Sequence, residues 1–225
     1  MLFAMKTVKQ VETTRKTYHR DPTLNTIHRA SLLVPEIQNT VAEISFLNHF
    51  LLKRQYPNVA CKITAIDVDG KKIESKLHKI DKPIVYNFEL TGMVSESVSN
   101  YMVEFFSPDN LFIPFPAVMV NHHGKNFINQ VHAFNRVLND VFEDEEVNSH
   151  QVKEASIDLV VNEDTDTFLL FSAGPFPCKD SLEIEVITQN ETINQKYDID
   201  LPRFGTKKIE FKKTFEQLEN GIRGI

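Results

Sequence analysis

The sequence predicts a mainly β protein with two related antiparallel β-sandwich-like halves and one central α-helix. Short runs of β-branched and aromatic residues, bounded by turn-forming residues, recur along the chain. An Asp-Gly pair joins two of these runs, and a similar order of runs returns after 118 to 120 residues. A length of 225 residues allows one large β domain or two small ones. Seventeen Phe and no Trp predict a core built on phenylalanine.

The first half contains four predicted strand segments, which are 41–53, 59–68, 71–80 and 84–90. Asp69-Gly70 separates the second and third segments and is the strongest hairpin signal in the chain. Two more strands are predicted in the central stretch, at 101–106 and 111–120. Pro114 and Pro116 each remove a backbone donor, so part of the last strand must lie at an edge, a bend or a bulge.

The second half repeats this order, with predicted strands at 155–161, 167–172, 182–188, 193–199 and 207–215. Three sequence marks recur at nearly the same offset: a Phe-Leu-Leu run, an aromatic-Pro pair and an Ile-Asp-x-Pro run. They lie at 50–52 and 168–170, at 56–57 and 176–177, and at 80–83 and 199–202. Similarity at a fixed offset favours an internal duplication. We therefore predict that residues 44–92 and 163–215 share one strand order, although any two β-meanders look alike.

A change of hydrophobic period after His122-His123-Gly124 predicts the central helix, over Asn126 to Phe142. Apolar residues recur there at intervals of three and four, at Phe127, Ile128, Val131, Phe134, Val137, Leu138, Val141 and Phe142. Asn126 is the expected N-cap. The opposite stripe of this helix would carry Asn129, His132, Arg136 and Asp140.

Charge divides the chain unevenly. The formal net charge is −6, yet residues 1–30 carry six Lys and Arg against Glu12 and Asp21. We therefore predict a basic N-terminal arm at 1–40, a first half at 41–150 and a shorter second repeat at 151–225. Because the body of the chain is acidic, we do not expect a nucleic-acid partner. The arm either lies on the acidic body or reaches into a neighbouring copy, which would give a homo-oligomer.

Hydropathy and cysteine usage predict a cytoplasmic protein without a membrane partner. No stretch approaches the roughly 18 apolar residues of a membrane span. The opening MLFAMK has too short an apolar segment for a signal peptide. Cys61 and Cys178 are too few for a disulfide framework.

The predicted function is a non-catalytic binding or assembly module without a cofactor. The sequence contains no glycine-rich phosphate loop, no HExxH, no GxSxG and no Cys/His zinc spacing. A ligand site is expected at the strand–helix junction, because a helix start offers unpaired N–H groups and positive side chains lie nearby. The ligand would be a small anion or a carbohydrate, held by His122, His123, Gly124, Lys125, Asn129, His132 and Arg136.

The alternative is a metal-dependent or histidine-based enzyme. His122, His123 and His132 would then bind a divalent metal or supply a general base, with Glu104 and Asp140 as carboxylate partners. Adjacent residues on an extended chain face opposite ways, so this site requires the turn to rotate one imidazole toward the other. The test of the alternative is whether the three histidines converge.

Overall fold

The computed structural model describes residues 29–106, 117–133, 159–161, 165, 167–174, 177–187, 191–211 and 222–224. This part of the chain confirms the mainly β prediction, since it holds fourteen strands and one short helix. It forms two compact units, the first within 1–65, 74–96 and 101–150, the second within 66–73, 97–100 and 151–225. The domain boundaries predicted at residues 40 and 150 stay predictions, and most of the basic arm lies outside the described residues.

The first unit is built on two four-stranded sheets. Sheet A has the order β1-β6-β3-β4 and sheet B the order β5-β2-β7-β8. The strands are β1 (Arg29–Pro35), β2 (Val41–Leu47), β3 (Val59–Ile66), β4 (Lys72–Ile80), β5 (Val85–Glu89), β6 (Asn100–Phe106), β7 (Val118–His123) and β8 (Ile128–Ala133).

Aromatic rings fill the space between the two sheets. The alternation of β2 turns Ala42, Ile44 and Phe46 inward, and all three are buried. Phe46 meets Phe105 of sheet A edge to face, with ring centroids 4.8 Å apart. Each large apolar side chain buried this way stabilises the fold by about 1.5–3 kcal/mol. Phe46, Phe50 and Phe105 are buried in this unit, together with a larger number of aliphatic side chains.

A short helix, α1 (His49–Arg54), replaces the end of the first predicted strand segment. β2 ends at Leu47 because Asn48 caps the helix: its Oδ1 accepts from the Leu51 N–H at 3.1 Å. The same side chain donates from Nδ2 to the carbonyls of Ile80 at 3.4 Å and Lys82 at 3.0 Å. Asn48 is fully buried and therefore joins α1 to the end of β4.

The second unit contains three antiparallel strand pairs, β10–β13, β11–β12 and β14–β9. Val186 and Phe211 form a small buried cluster there, with Leu169, Ile184 and Ile193 packed against it. The strands are β9 (Leu159–Val161), β10 (Phe168–Ser172), β11 (Cys178–Ile187), β12 (Thr192–Leu201), β13 (Thr206–Glu210) and β14 (Ile222–Gly224).

One pairing scheme occurs twice, as the predicted strand order requires. In the first repeat, β2 and β5 pair antiparallel and flank the hairpin β3–β4. In the second repeat, β10 and β13 pair antiparallel and flank the hairpin β11–β12. The Phe-Leu-Leu marks are not equivalent, however, because 50–52 lies in α1 and 168–170 lies in β10. The connection after the first strand is longer in the first repeat (48–58) than in the second (173–177). For this reason the two Phe-Leu-Leu runs lie in different elements.

The predicted central helix is wrong over its first part. Residues Ile128–Ala133 form β8, which pairs antiparallel with β7 in the register His123↔Ile128 to Val118↔Ala133. The chain reverses in a tight turn in which the Gly124 N–H donates to the Phe127 carbonyl at 2.9 Å. Pairing with β7 gives the backbone groups of β8 that face β7 hydrogen-bond partners, and this outweighs an apolar period that six residues cannot define. The remainder of the predicted helix, 134–142, lies outside the described residues.

The Asp-Gly turn of the β3–β4 hairpin belongs to the second unit. Gly70 has a φ of 77°, and a Cβ there would lie 2.0 Å from the carbonyl oxygen of Arg203. Only glycine satisfies both the left-handed backbone and this close approach. The hairpin tip is thereby held against the turn that ends at Gly205.

In the described part of the chain, no helix has the length and apolar character needed to cross a membrane.

Candidate functional site

Strand β7 separates the two adjacent histidines. His122 pairs with Ala42 and Asn129 on the inner face of sheet B, whereas His123 lies on the outer face. His132 shares the outer face but pairs with Met119, four residues along β7 from His123. At about 3.4 Å per residue this places His132 roughly 14 Å from His123 along the strand direction. The three imidazoles therefore do not converge.

His122 belongs to the interior. It is buried, and its Nε2 lies 2.9 Å from the carbonyl oxygen of Pro35. A carbonyl only accepts, so Nε2 carries the proton and donates. This hydrogen bond joins β7 of sheet B to β1 of sheet A.

A second polar contact follows in the loop after β1. The Glu36 carboxylate accepts from the Thr91 hydroxyl, with distances of 3.2 and 3.0 Å to its two oxygens. Burial and the neighbouring Glu36 charge raise the pKa of Tyr101, so this phenol stays protonated and donates to Glu36. Glu36, Thr91 and Tyr101 thus satisfy one another inside the first unit, and we assign them to stability.

The outer face of sheet B carries a row of polar side chains in register across four strands. Gln130 Nε2 donates to Asn121 Oδ1 at 2.8 Å, and Asn121 Nδ2 donates to Glu43 Oε1 at 3.1 Å. Glu89 lies directly opposite Glu43 on β5. We call Glu89, Glu43, Asn121 and Gln130 the polar row. Its chain of hydrogen bonds fixes which end of each amide donates and which accepts.

His123 lies beside this row. Its Nε2 is 3.8 Å from Glu43 Oε1, which is within ion-pair range when the imidazole is protonated. The distance is too long for a hydrogen bond, and Nε2 is a buried atom without a hydrogen-bond partner. The Asn121 amide already occupies the same carboxylate oxygen. His123 therefore lies next to a carboxylate of the outer face.

Several acceptors of the polar row remain open to a ligand. Among the described residues, Glu43 Oε2, Gln130 Oε1 and the Glu89 carboxylate have no hydrogen-bond partner. Exposed apolar side chains, Val41 and Ile128, flank the row on one side. Leu47 lies on the same face, on the opposite side of the polar row from Val41. The outer face therefore combines hydrogen-bonded polar side chains with exposed apolar side chains at its borders.

The predicted site residues are distributed over three places. His123 and His132 lie on the outer face, and His122 and Asn129 on the inner face. Gly124 and Lys125 form the β7–β8 turn. Arg136 and Asp140 lie outside the described residues. Glu104, the other carboxylate proposed for an enzyme, is buried and pairs with Lys62 at 3.3 Å.

The turn does not provide the helix start on which the anion site was predicted. Asn126 lies in the β7–β8 connection, not at a helix N-cap. The Gly124 N–H already donates to the Phe127 carbonyl. A Cβ at Gly124 would lie 2.2 Å from the Phe127 ring, so this glycine serves the close approach of that ring.

The sequence did not identify Glu43, Glu89, Asn121 and Gln130 as a group. A partial signal exists in β2, where Glu43 and Ser45 alternate with Ala42, Ile44 and Phe46 and so mark a polar side. The partners of Glu43 come from β5, β7 and β8, and no local pattern specifies which strands pair.

Within the described ranges, no three His, Cys, Asp or Glu side chains are grouped so that they could hold a metal ion. Comparison of the chain with protein-family models, curated proteins and solved structures finds no match.

Proposed function

We propose that this protein is a non-catalytic binding module that recognises a neutral carbohydrate on the outer face of sheet B. The polar row carries the proposal, since it holds two carboxylates and two side-chain amides in register across the sheet. Its central amide is fixed by hydrogen bonds at both ends. Because these groups are held before a ligand arrives, less side-chain entropy is lost on binding.

Charge favours a neutral ligand over an anion. Glu43 and Glu89 face each other across β2 and β5, and an anion beside them would meet two negative charges. Sugar hydroxyls both donate and accept, so they suit open carboxylate oxygens and an open amide oxygen. Apolar C–H faces of a sugar ring would contact Val41 and Ile128 at the border. The β7–β8 turn beside the row adds one exposed positive side chain, Lys125, against the two carboxylates.

The experiment is an NMR titration of the full chain with neutral hexasaccharides of glucose, xylose and mannose. We expect amide shifts at Glu43, Asn121 and Gln130, and none for inorganic sulfate or phosphate. Gln130→Ala removes one neutral hydrogen-bonding group, worth about 0.5–1.5 kcal/mol, and should weaken binding by about two- to tenfold. Glu89→Gln should weaken it further, because a charged acceptor contributes more than a neutral one.

The matched control for the carboxylate is Glu74→Gln, an identical change at an exposed position of β4 in the other sheet. It should leave saccharide affinity unchanged. Shifts caused by sulfate or phosphate around the β7–β8 turn, with no response to any neutral saccharide, would replace this proposal by the anion site predicted from the sequence. No response to either class would contradict both.

A further inference from the structure

Exposed aliphatic side chains meet where β2 passes into α1 and β5 begins. Leu47 and Val85 stand opposite each other on the outer face of sheet B. The Asn48 N–H donates to the Ile84 carbonyl, and the Leu52 N–H donates to the Asn48 carbonyl, each at 3.1 Å. We call Leu47, Leu52, Ile84 and Val85 the apolar corner; they are 46%, 50%, 48% and 57% exposed. Apolar side chains that are grouped and solvated in this way mark a contact surface.

Positive side chains adjoin the apolar corner. Lys53 and Arg54 form the last turn of α1, and the Lys82 carbonyl accepts from the capping side chain of α1 at 3.0 Å. All three cations are exposed, and among the described residues none of them pairs with a carboxylate. The neighbouring carboxylate, Asp81, pairs with Lys79 at 3.0 Å. The corner is therefore locally positive, although the chain as a whole is negative.

We propose that the apolar corner and its cations bind the surface of an anionic lipid bilayer. Aliphatic side chains enter the boundary between headgroups and acyl chains, while Lys and Arg beside them attract acidic headgroups. A protein partner suits this surface less, because protein interfaces take most of their binding energy from Trp, Tyr and Arg, whereas Leu and Val are under-represented. The sequence argument against a membrane partner concerned spanning segments, and a surface contact needs none.

The carboxylates of the polar row lie too far away to repel the bilayer. Glu43 is four residues from Leu47 along β2, and Glu89 is four residues from Val85 along β5. At about 3.4 Å per residue, each separation is roughly 14 Å. Exposed charges farther apart than the Debye length, about 8 Å at physiological ionic strength, are largely screened. Saccharide binding at the polar row and lipid binding at the corner are therefore independent, and the failure of one leaves the other standing.

The experiment is co-sedimentation of the full chain with vesicles of phosphatidylcholine alone and of phosphatidylcholine and phosphatidylserine in equal amounts. We expect binding to the mixed vesicles only, and added salt should weaken it. Val85→Asp removes an apolar contact and adds a repelled charge, so it should weaken binding by at least about tenfold. The matched control is Val68→Asp, the same change at a valine of similar exposure between Asp67 and Asp69, which should leave binding unchanged.

A second variant tests the cations. Lys53→Gln, Arg54→Gln and Lys82→Gln should each weaken binding by about fivefold, and by about a hundredfold when combined. Circular dichroism melts establish that each variant remains folded. If Val85→Asp unfolds, Ile84→Asp provides the same test at a position outside β5.

Equal binding to both kinds of vesicle, or binding to neither, overturns the proposal. Binding that survives the aspartate substitution in the corner, or that is lost equally with Val68→Asp, overturns it as well. A soluble oligoglutamate peptide is the probe for an acidic protein segment. If amide shifts show that this peptide binds around Ile84 while vesicles do not bind, the partner is an acidic peptide and the lipid proposal fails.

Discussion

The two repeats pair their strands in the same way but bury them differently. In β2 of the first repeat, Ala42, Ile44 and Phe46 are buried and alternate with more exposed neighbours. In β10 of the second repeat, all five residues are half-buried. Both strands nevertheless pair with the strand that follows the hairpin. The comparison teaches that this pairing scheme follows from the hairpin and its return strand, while depth of burial is set by what covers each sheet.

The most direct test of this difference in burial is to truncate one apolar side chain at corresponding positions of the two repeats. Ile44 pairs with Phe88 on the return strand of the first repeat, and Leu169 pairs with Ile209 in the second. Ile44→Ala should reduce the free energy of unfolding by about 2–5 kcal/mol, because it empties a fully buried site. Leu169→Ala should cost clearly less, since its site is half-buried. Urea unfolding measures both, and equal losses would show that burial does not distinguish the repeats.

Asn48→Ala tests the connection through α1 in the first repeat. It removes the cap of α1 and the side-chain donor to the buried carbonyl of Ile80. Loss of a cap costs about 0.5–2 kcal/mol and an unsatisfied buried group about 1–3, so we expect a total near 2–4 kcal/mol.

Asn48→Asp is the informative companion to that variant. The aspartate keeps the acceptor that caps α1 but loses the donor to Ile80 and Lys82. The aspartate also places a carboxylate in a fully buried site beside two carbonyl oxygens, so we expect a loss of stability at least as large as that of Asn48→Ala. Thermal unfolding monitored by circular dichroism measures this loss, and no loss would assign the effect of Asn48→Ala to the cap alone.

Gly70→Ala sharpens the comparison at the hairpin turn of the first repeat. Gly70 and Gly92 both have positive φ, at 77° and 81°, but only Gly70 approaches another backbone atom closely. Gly92→Ala should cost about 1–2 kcal/mol, the usual price of a left-handed alanine. Gly70→Ala should cost more, because Arg203 must also move. Equal effects in urea unfolding would mean that the contact with Arg203 contributes nothing.

The smallest expected effect is a pH dependence confined to the first repeat. His78 stacks on Phe88 with ring centroids 4.3 Å apart, and burial, followed by the charge of Lys76, lowers the His78 pKa. The unfolded chain therefore binds the proton more readily near pH 6.5 and below. Stability conferred by neutral His78 is present above that pH and is lost as pH falls toward the lowered folded pKa.

His78→Phe keeps a ring over Phe88 but cannot titrate, so the melting temperature should fall less between pH 7 and 5.5 than in the parent protein. The described residues of the second repeat contain no histidine, so its amide exchange should show no corresponding step. An unchanged slope in His78→Phe would assign the acid sensitivity elsewhere, for example to His49, whose pKa burial also lowers.

Features set by neighbouring residues could be predicted from the sequence. The Asp-Gly turn and its strands are found at Val59–Ile66 and Lys72–Ile80, close to the predicted 59–68 and 71–80. The alternation of Glu43 and Ser45 with Ala42, Ile44 and Phe46 also marks a polar side of β2. These features depend on turn geometry and on a two-residue period, both of which act locally.

Features set by distant pairing could not be predicted. Residues 128–133 carry apolar side chains at helical spacing, yet they form a strand because β7 offers an edge. The polar row joins Glu43 to Asn121, on strands far apart in the sequence, and the register of β2 with β7 decides that they meet. A shift of one residue would have brought His122 to the outer face in place of His123. The register of strand pairing therefore determines which residues form the candidate site, and no local sequence motif specifies them.

The triple engagement of Asn48 also has a consequence for the order in which the first unit folds. A helix of six residues is too short to persist alone in water. Its capping side chain finds its other two partners only after Ile80 and Lys82 have arrived, more than thirty residues later in the chain. We therefore expect α1 to form after the β3–β4 hairpin, on the downhill side of the folding barrier. Asn48→Ala should then accelerate unfolding and leave the refolding rate nearly unchanged, which corresponds to a φ-value near zero in stopped-flow kinetics.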